Sequence, residues 1–496
     1  MFDLADILAD SRLVLYIPEI TESIEMLTQR YLSYEDYKIT EFCILPGYDV
    51  LYHDVCEDFM NTILKRITDE IIGKSTKEYF QRIAPQHTLY HMRNMLQHRN
   101  IWQLKEKINE VELTNIPAII VSAGPSLDKN VQELKNAEGK SLIIVVDAAL
   151  RTVQKAGVHP DIVCTIDPEP PDRFFEGLDL DDMVWCCERL TRPWILEHYG
   201  KRVYYYGFFE KRWNDMLEET LNYKFPGLVS GGSVTSIAFS LACYLGFRKI
   251  ILVGQDMAFT GGTSHTKGIE GAFGDNDEYI QSRKLLQVEG IDGTLLETDV
   301  QMWYYKQWFE KAFKANENEL QVINATEGGA KIEGAKNQTL ISAIEQECCG
   351  NFTFEQMEKD IPPAFEKKEK EKEGLLHQLD LMEEQVDRLE KMIVKTMEHQ
   401  KKILSLLKGN TYKGNNLKKE LIMMTVENEK LEQMPLFDIM TQYAQKEEYE
   451  MVDNIYADET MEIQELVERS LTLYEGYKKA VGMLAEDMHR EFIYKI

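Results

Sequence analysis

IPAIIVSAGPSLDKN, residues 116–130, joins a run of apolar residues to small residues, a Gly-Pro pair, and then Ser126 and Asp128 at the head of a helical stretch. That order predicts a buried strand handing its backbone to the start of a helix. Gly124 leaves room for close approach to the backbone, Pro125 is tolerated at a helix start because its missing N–H costs nothing there, and Ser126 offers a hydroxyl. Two readings stay open on these residues alone: a cap on a structural helix, or an anion site at the strand-to-helix turn.

Working outward, the same alternation repeats. AIIVSA, SLIIVVDA, DIVCTID, MVWCCE, RVYYYGF, KIILVGQD and LQVINAT, all between 111 and 351, read as short buried strands with helices between most of them. Strands alternating with helices predict an α/β fold, a Rossmann-like, mostly parallel sheet covered on both faces. Ahead of it, residues 1–110 hold two strand-like runs, RLVLYI and TEFCIL, and two helical patterns, ITESIEMLTQRYL and DFMNTILKRITDEII. They predict a small α/β N-terminal domain. Beyond it, Leu375, Leu379, Met382, Val386, Leu389 and Ile393 step by four and three, the seam of a helical bundle or coiled coil. The pattern blurs at Thr396 and Gln400, resumes at Ile403 and Leu407, and stops at KGNTYKGNN, where a turn is expected to send a second helix back. Residues 352–496 are therefore expected to be an all-α helical domain, able to dock a protein or pair two chains.

The bulk numbers narrow the partners. A formal charge of −28 repels a phosphate backbone over most of the surface, and no Lys/Arg block is dense enough to reverse it, so neither nucleic acid nor an anionic membrane is expected. No run reaches the roughly 18 apolar residues of a membrane-spanning helix, and the N-terminus lacks a basic start with an apolar core, so the expected location is the cytoplasm. The eight cysteines include two vicinal pairs, Cys186-Cys187 and Cys348-Cys349, and no C-x-x-C; buried reduced thiols are expected.

Several strand ends carry groups able to do chemistry. Asp147, Asp167 and Asp256 each follow an apolar run, which in a parallel sheet puts them along one edge beside Gly124. Ser230, Gly231, Gly232 and Ser233 form a second small-residue turn before a helix. His265 sits in the glycine-containing loop TGGTSHTKG after the Asp256 strand, and imidazole suits proton transfer near neutral pH. The aromatic clusters YYYGFFEKRW (204–213) and MWYYKQWF (302–309) read mostly as packing. Neither G-x-G-x-x-G nor G-x-x-x-x-G-K-[ST] occurs, which argues against a dinucleotide fingerprint and a P-loop.

VSAGPSLDKN, VVDAALRTVQKAGVHPDIVCTIDPE and SGGSVTSIAFSLACYLGFRKIILVGQDMAF, taken together, resemble the motility-associated factor family. These are bacterial proteins linked to flagellin glycosylation, and they share a central domain with an archaeal hydroxymethylpterin diphosphokinase. The same stretches are similar to bacterial sialyltransferases that use cytidine-monophosphate (CMP) sugars, whose G-N-G-P-S-L turn has Asn where this chain has Ala123. The resemblance implies transfer of a nonulosonic acid, pseudaminic or legionaminic in type, from its CMP donor to Ser or Thr of flagellin, without a metal or other cofactor. It implies Gly124, Pro125 and Ser126 on the nucleotide phosphate, and Ser230–Ser233 beside the cytidine or ribose. Gln255 and Asp147 join the nucleotide-sugar site, Asp256 and Asp167 orient donor or acceptor, and His265 is the general base. The alternatives are a pterin-type diphosphokinase using ATP and Mg2+, with the three acids around metal and phosphates, and a non-catalytic flagellin-binding protein.

Overall fold

The computed structural model describes residues 47–207, 215, 218, 224–363, 369–408, 414–455 and 463–492. The strands expected at RLVLYI and TEFCIL, and the helix expected at ITESIEMLTQRYL, lie outside the described residues. The chain divides into two compact units, His87–Leu379 and a second one formed by Met1–Gln86 with Asp380–Ile496. These limits differ from the boundaries expected at 110/111 and 351/352.

The His87–Leu379 unit is built on nine parallel strands: β1 (Arg99–Asn100), β2 (Ala118–Val121), β3 (Leu142–Val146), β4 (Ile162–Cys164), β5 (Val184–Cys187), β6 (Arg202–Tyr205), β7 (Lys249–Val253), and, after a separate antiparallel hairpin of β8 (Leu285–Glu289) and β9 (Leu295–Asp299), β10 (Gln321–Asn324) and β11 (Lys336–Asn337). The spatial order is β1-β6-β5-β4-β3-β2-β7-β10-β11. Seven of the nine are the strands expected from the sequence, and β2, β3, β4 and β5 are buried along their whole length. Burial on both faces is why they read as unbroken apolar runs instead of alternating ones. The fold is α/β and Rossmann-like, as expected.

The order of the strands fixes where a ligand can enter. From β2 the chain proceeds through β3, β4, β5 and β6 in one direction, and then returns to lay β7 and β10 on the other side of β2. Val121 lies level with Val145 on one side and with Val253 on the other. The connections after β2 and β7 therefore leave the sheet in opposite directions and open a crevice beyond its carboxyl edge, the switch point where parallel α/β sheets receive ligands.

The second unit is helical among its described residues. Met382, Val386, Leu389 and Ile393 are buried, as the seam predicts. Thr396 and Gln400 are also fully buried. The Thr396 hydroxyl donates to Met392 O (3.1 Å), and Gln400 Nε2 donates to Ser470 Oγ (2.8 Å). The seam therefore runs unbroken through the two polar positions, each tied inside it by one hydrogen bond, while Gln400 Oε1 is buried without a partner. Helix His53–Phe80 belongs to this unit, with Lys74 Nζ 4.7 Å from the centre of the Tyr449 ring. The turn expected within KGNTYKGNN falls on residues that are partly undescribed, between helices Glu369–Lys408 and Gly414–Glu432. No helix among the described residues is long and apolar enough to cross a membrane.

Candidate functional site at the switch point

Past the sheet, the exits of β2 and β7 stay laced together. Ser122 N donates to Val253 O and Gly124 N to Gly254 O, both at 2.8 Å. This brings the Gly-Pro turn against Asp256. The Ser126 hydroxyl donates to Asp256 Oδ1 at 2.6 Å, and the Ser126 amide lies 3.2 and 3.3 Å from the two carboxylate oxygens. The turn does hold an acidic group, and it is the chain's own Asp256. Ser126 is fully buried and Asp256 nearly so, and the helix that follows is only Leu127–Asn130. The phosphate expected on Ser126 thus finds its hydroxyl and amide already engaged. Burial raises the Asp256 pKa, and the hydrogen bonds from Ser126 oppose that shift.

Glycines close around this pair. A Cβ on Gly328 would overlap the Ser126 hydroxyl, and one on Gly329 would meet the Asp256 backbone. Met257 (φ 49°) and Glu327 (φ 57°) are the non-glycine residues with positive φ among those described, and both lie in the connections beside Asp256. Backbone strain of this kind costs on the order of 1–3 kcal/mol per residue and collects where geometry is over-determined.

The SGGS turn reaches the same crevice from the side. Ser233 caps the twelve-residue helix Val234–Leu245 in a capping box with Ser236, and Ser230 Oγ accepts from Gly232 N (3.1 Å). On the next residue of that helix's first turn, Thr235 Oγ1 lies 3.0 Å from Ser122 Oγ, which donates to Gln255 Oε1 at 2.5 Å. Gln255 N in turn donates to Thr326 Oγ1 (3.1 Å), past the end of β10. A buried chain of side chains therefore ties the helix start to the exits of β2, β7 and β10. Gly231 is pressed against the Trp308 indole and Gly232 against the Tyr305 ring, so the 302–309 cluster packs under this turn.

Asp147 and Asp167 belong to another part of the edge. Asp147 Oδ2 accepts from Thr165 Oγ1 (2.8 Å) and Oδ1 from Ala148 N (2.8 Å), while Asp167 Oδ1 accepts from Glu169 N (2.8 Å). Burial, with the charge of Asp167 adding to it, raises the Asp147 pKa to about 7. Among the described residues no His, Cys, Asp and Glu side chains gather in a group able to hold a metal ion. An acid raised from 3.8 to about 7 contributes stability that is present below pH 3.8 and lost as pH rises through 7. Asp147→Asn should therefore gain on the native protein by up to about 4 kcal/mol between roughly pH 4 and pH 8. Thermal melts of both proteins at the two pH values check this, and a pH-independent difference contradicts it.

The His265 loop docks onto the β2 turn. Thr266 N donates to Ala123 O (2.9 Å), Thr266 Oγ1 donates to Asp128 Oδ1 (2.5 Å), and Lys267 N donates to Asp128 Oδ2 (3.1 Å). Beside this anchor His265 stacks on Phe273, with ring centres 4.6 Å apart, and meets the Tyr279 ring edge-on. Its Nδ1 is buried with no hydrogen-bond partner. Burial, followed by the Arg283 charge, lowers its pKa to about 4, so the imidazole is neutral at pH 7 and able to accept a proton.

Residues 86–262, which contain the β2 turn, Asp147, Asp167, the SGGS turn and Gln255-Asp256, match the family described as MptE-like, 6-hydroxymethylpterin diphosphokinase MptE-like. This stretch is similar to that family, and the match covers a little over a third of the chain. The match ends at residue 262, so His265 lies outside the matched region. Among solved structures, the chain is similar to a MAf glycosyltransferase from Magnetospirillum magneticum AMB-1, at 14% identity and a TM-score of 0.47. That similarity covers 88% of this chain and 62% of the other, so the chain spans less than two thirds of that protein. A comparison with curated proteins finds no match.

Sequence reasoning missed Ser122, Thr235 and Thr326, small hydroxyl residues that carry the network, and Tyr279, Arg283 and Tyr305 around the His265 loop. Only the hairpin near them had a local signal, Asp292-Gly293 between the apolar runs of β8 and β9.

Proposed function

We propose that the chain is a glycosyltransferase that moves a nonulosonic acid from its CMP-activated donor to Ser or Thr of flagellin. The observation that carries this reading is the Thr235–Ser122–Gln255 network, which fixes a glycine-lined helix start against the switch-point crevice. A helix start of this kind suits a nucleotide phosphate, and Gly231-Gly232 lets a ribose lie against backbone. The phosphate role moves from Ser126 to the Ser230–Ser233 turn, and Asp256 with Ser126 becomes the support that shapes the wall.

In this mechanism the acceptor hydroxyl oxygen bonds to the anomeric carbon as the bond from that carbon to the phosphate oxygen breaks. The bonding electrons leave with CMP, and the hydroxyl proton passes to His265. Charge on the departing phosphate is stabilised by the helix start. Neutral His265 has the protonation state this step needs, and an anion bound beside it would raise its basicity. Asp167 and Asp147, farther along the sheet edge past β4 and β3, are assigned to orienting the sugar, and the helical unit to holding the protein acceptor, in the cytoplasm.

A second reading, a pterin-type diphosphokinase, is favoured by the description of the matched family. Thermal melting of the full chain with CMP and with ATP-Mg2+ separates the two. The transferase reading expects stabilisation by CMP. A response confined to ATP-Mg2+ overturns it in favour of the kinase.

A further inference from the structure

We infer that Arg283 receives the paired oxygens of a carboxylate or phosphate on the acidic donor, and so selects an anionic sugar nucleotide at the His265 end of the crevice. This rests on the transferase reading above. Arg283 follows the short helix Asn276–Gln281, and its guanidinium lies 4.6 Å from the centre of the Tyr279 ring. A guanidinium has five N–H donors. Here Nη2 donates to Tyr279 Oη at 2.9 Å, Nη1 lies a long 3.4 Å from Gln301 Oε1, and Nε is 3.8 Å from Asp299 Oδ2, beyond hydrogen-bond reach. Asp299 is itself committed, its Oδ1 accepting from Met302 N (2.7 Å) at the start of helix Val300–Ala315.

The arginine is thus oriented by an aromatic face and a buried carboxylate while most of its fork is unspent. About a third of the side chain is exposed, 34%, which leaves an approach for a ligand. Its neighbours are the site's own. The Tyr279 ring it lies over meets His265 edge-on, with ring centres 6.2 Å apart, and its partner Gln301 donates from Nε2 to Tyr305 Oη, the ring against Gly232 of the SGGS turn. The donor of the proposed reaction carries a carboxylate and a phosphate on the same anomeric carbon, one atom from where the acceptor oxygen must bond. A planar fork held between the proposed base and the SGGS turn matches two oxygens of either group, which a lysine could not do in the same way.

The test is isothermal titration of the full chain, native, Arg283→Gln and Arg283→Lys, with CMP and with CMP-N-acetylneuraminic acid. If the carboxylate is the partner, Arg283→Gln weakens the sugar nucleotide by about 10- to 100-fold, the scale of a lost charge-assisted hydrogen bond, and leaves CMP within about twofold. If the phosphate is the partner, both ligands weaken together. Arg283→Lys keeps a charge beside Asp299 and loses the fork, and should weaken the same ligand by about 3- to 10-fold even if the glutamine variant fails to fold. Native protein that binds both ligands, with either folded variant binding them equally well, overturns the inference alone. Native protein that binds neither ligand overturns the transferase reading and this inference with it.

Discussion

Gly124→Ala is expected to destabilise the His87–Leu379 unit by about 3 kcal/mol, the upper range for a single substitution that overpacks a buried site. An added Cβ would overlap Asp256 Oδ2 and lie 2.5 Å from Gly254 O and 2.7 Å from Asp256 Cγ. The backbone has little room to retreat. Gly124 N is bonded to that same Gly254 O, and Gly254, at φ 66°, is wedged against Ser122 O. The alternative is for the Asp256 carboxylate to swing away, which strips the buried Ser126 hydroxyl and amide of their acceptor at about 1–3 kcal/mol each. Thermal melting should fall by roughly 5 °C or more. Gly227→Ala is the control, because Gly227 has no atom within 4 Å of its Cβ position and should change stability by less than about 0.5 kcal/mol. A Gly124→Ala protein that melts with the native one would mean that the Asp256–Ser126 contact does not hold this turn.

His265→Ala should lower transfer to flagellin by about 100-fold or more, the usual contribution of a general base, while CMP binding stays within about threefold. The imidazole is separated from the Gly124–Asp256 wall by its own anchor, Thr266 on Ala123 and Asp128, so removing it leaves the β2 turn intact. Loss of the stack on Phe273 is the competing explanation for any defect. His265→Phe restores an aromatic face without a base and should be as inactive as the alanine variant. The pH profile of kcat/KM, which reports the free protein, carries the same assignment: protonation disables a base as pH falls through its pKa, here about 4, so the His265 limb should be flat from about pH 5 to pH 8. Unchanged transfer by both variants would remove His265 from the chemistry.

The sheet was legible because β2 to β5 are buried on both faces and leave continuous apolar runs that few other structures would produce. Strands β1 and β11 were not, since two residues carry no periodicity. The bundle seam was read correctly on either side of Thr396 and Gln400, and its apparent gap came from polar side chains whose partners, one turn back and 70 residues on, are invisible locally. At the crevice the residues were found and their order was not. Asp256 looked like a group offered to a ligand because its partner Ser126 is 130 positions away. Gly124 looked like space for a phosphate, and the space is filled by that carboxylate. The three acids do follow the carboxyl ends of strands in one parallel sheet, as expected, but they do not act as one group, since Asp147 bonds to Thr165 and Asp256 to Ser126.

The central claim, that a cytidine nucleotide occupies the switch point between β2 and β7, is tested most directly by amide hydrogen exchange of the full chain with and without saturating CMP. Protection is expected at 230–236 and 254–257, at the start of helix Val234–Leu245 and the exit of β7, with weaker protection over 122–128 and 264–267. Protection confined to other parts of the sheet edge, or no protection by CMP with clear protection by ATP-Mg2+, would contradict it.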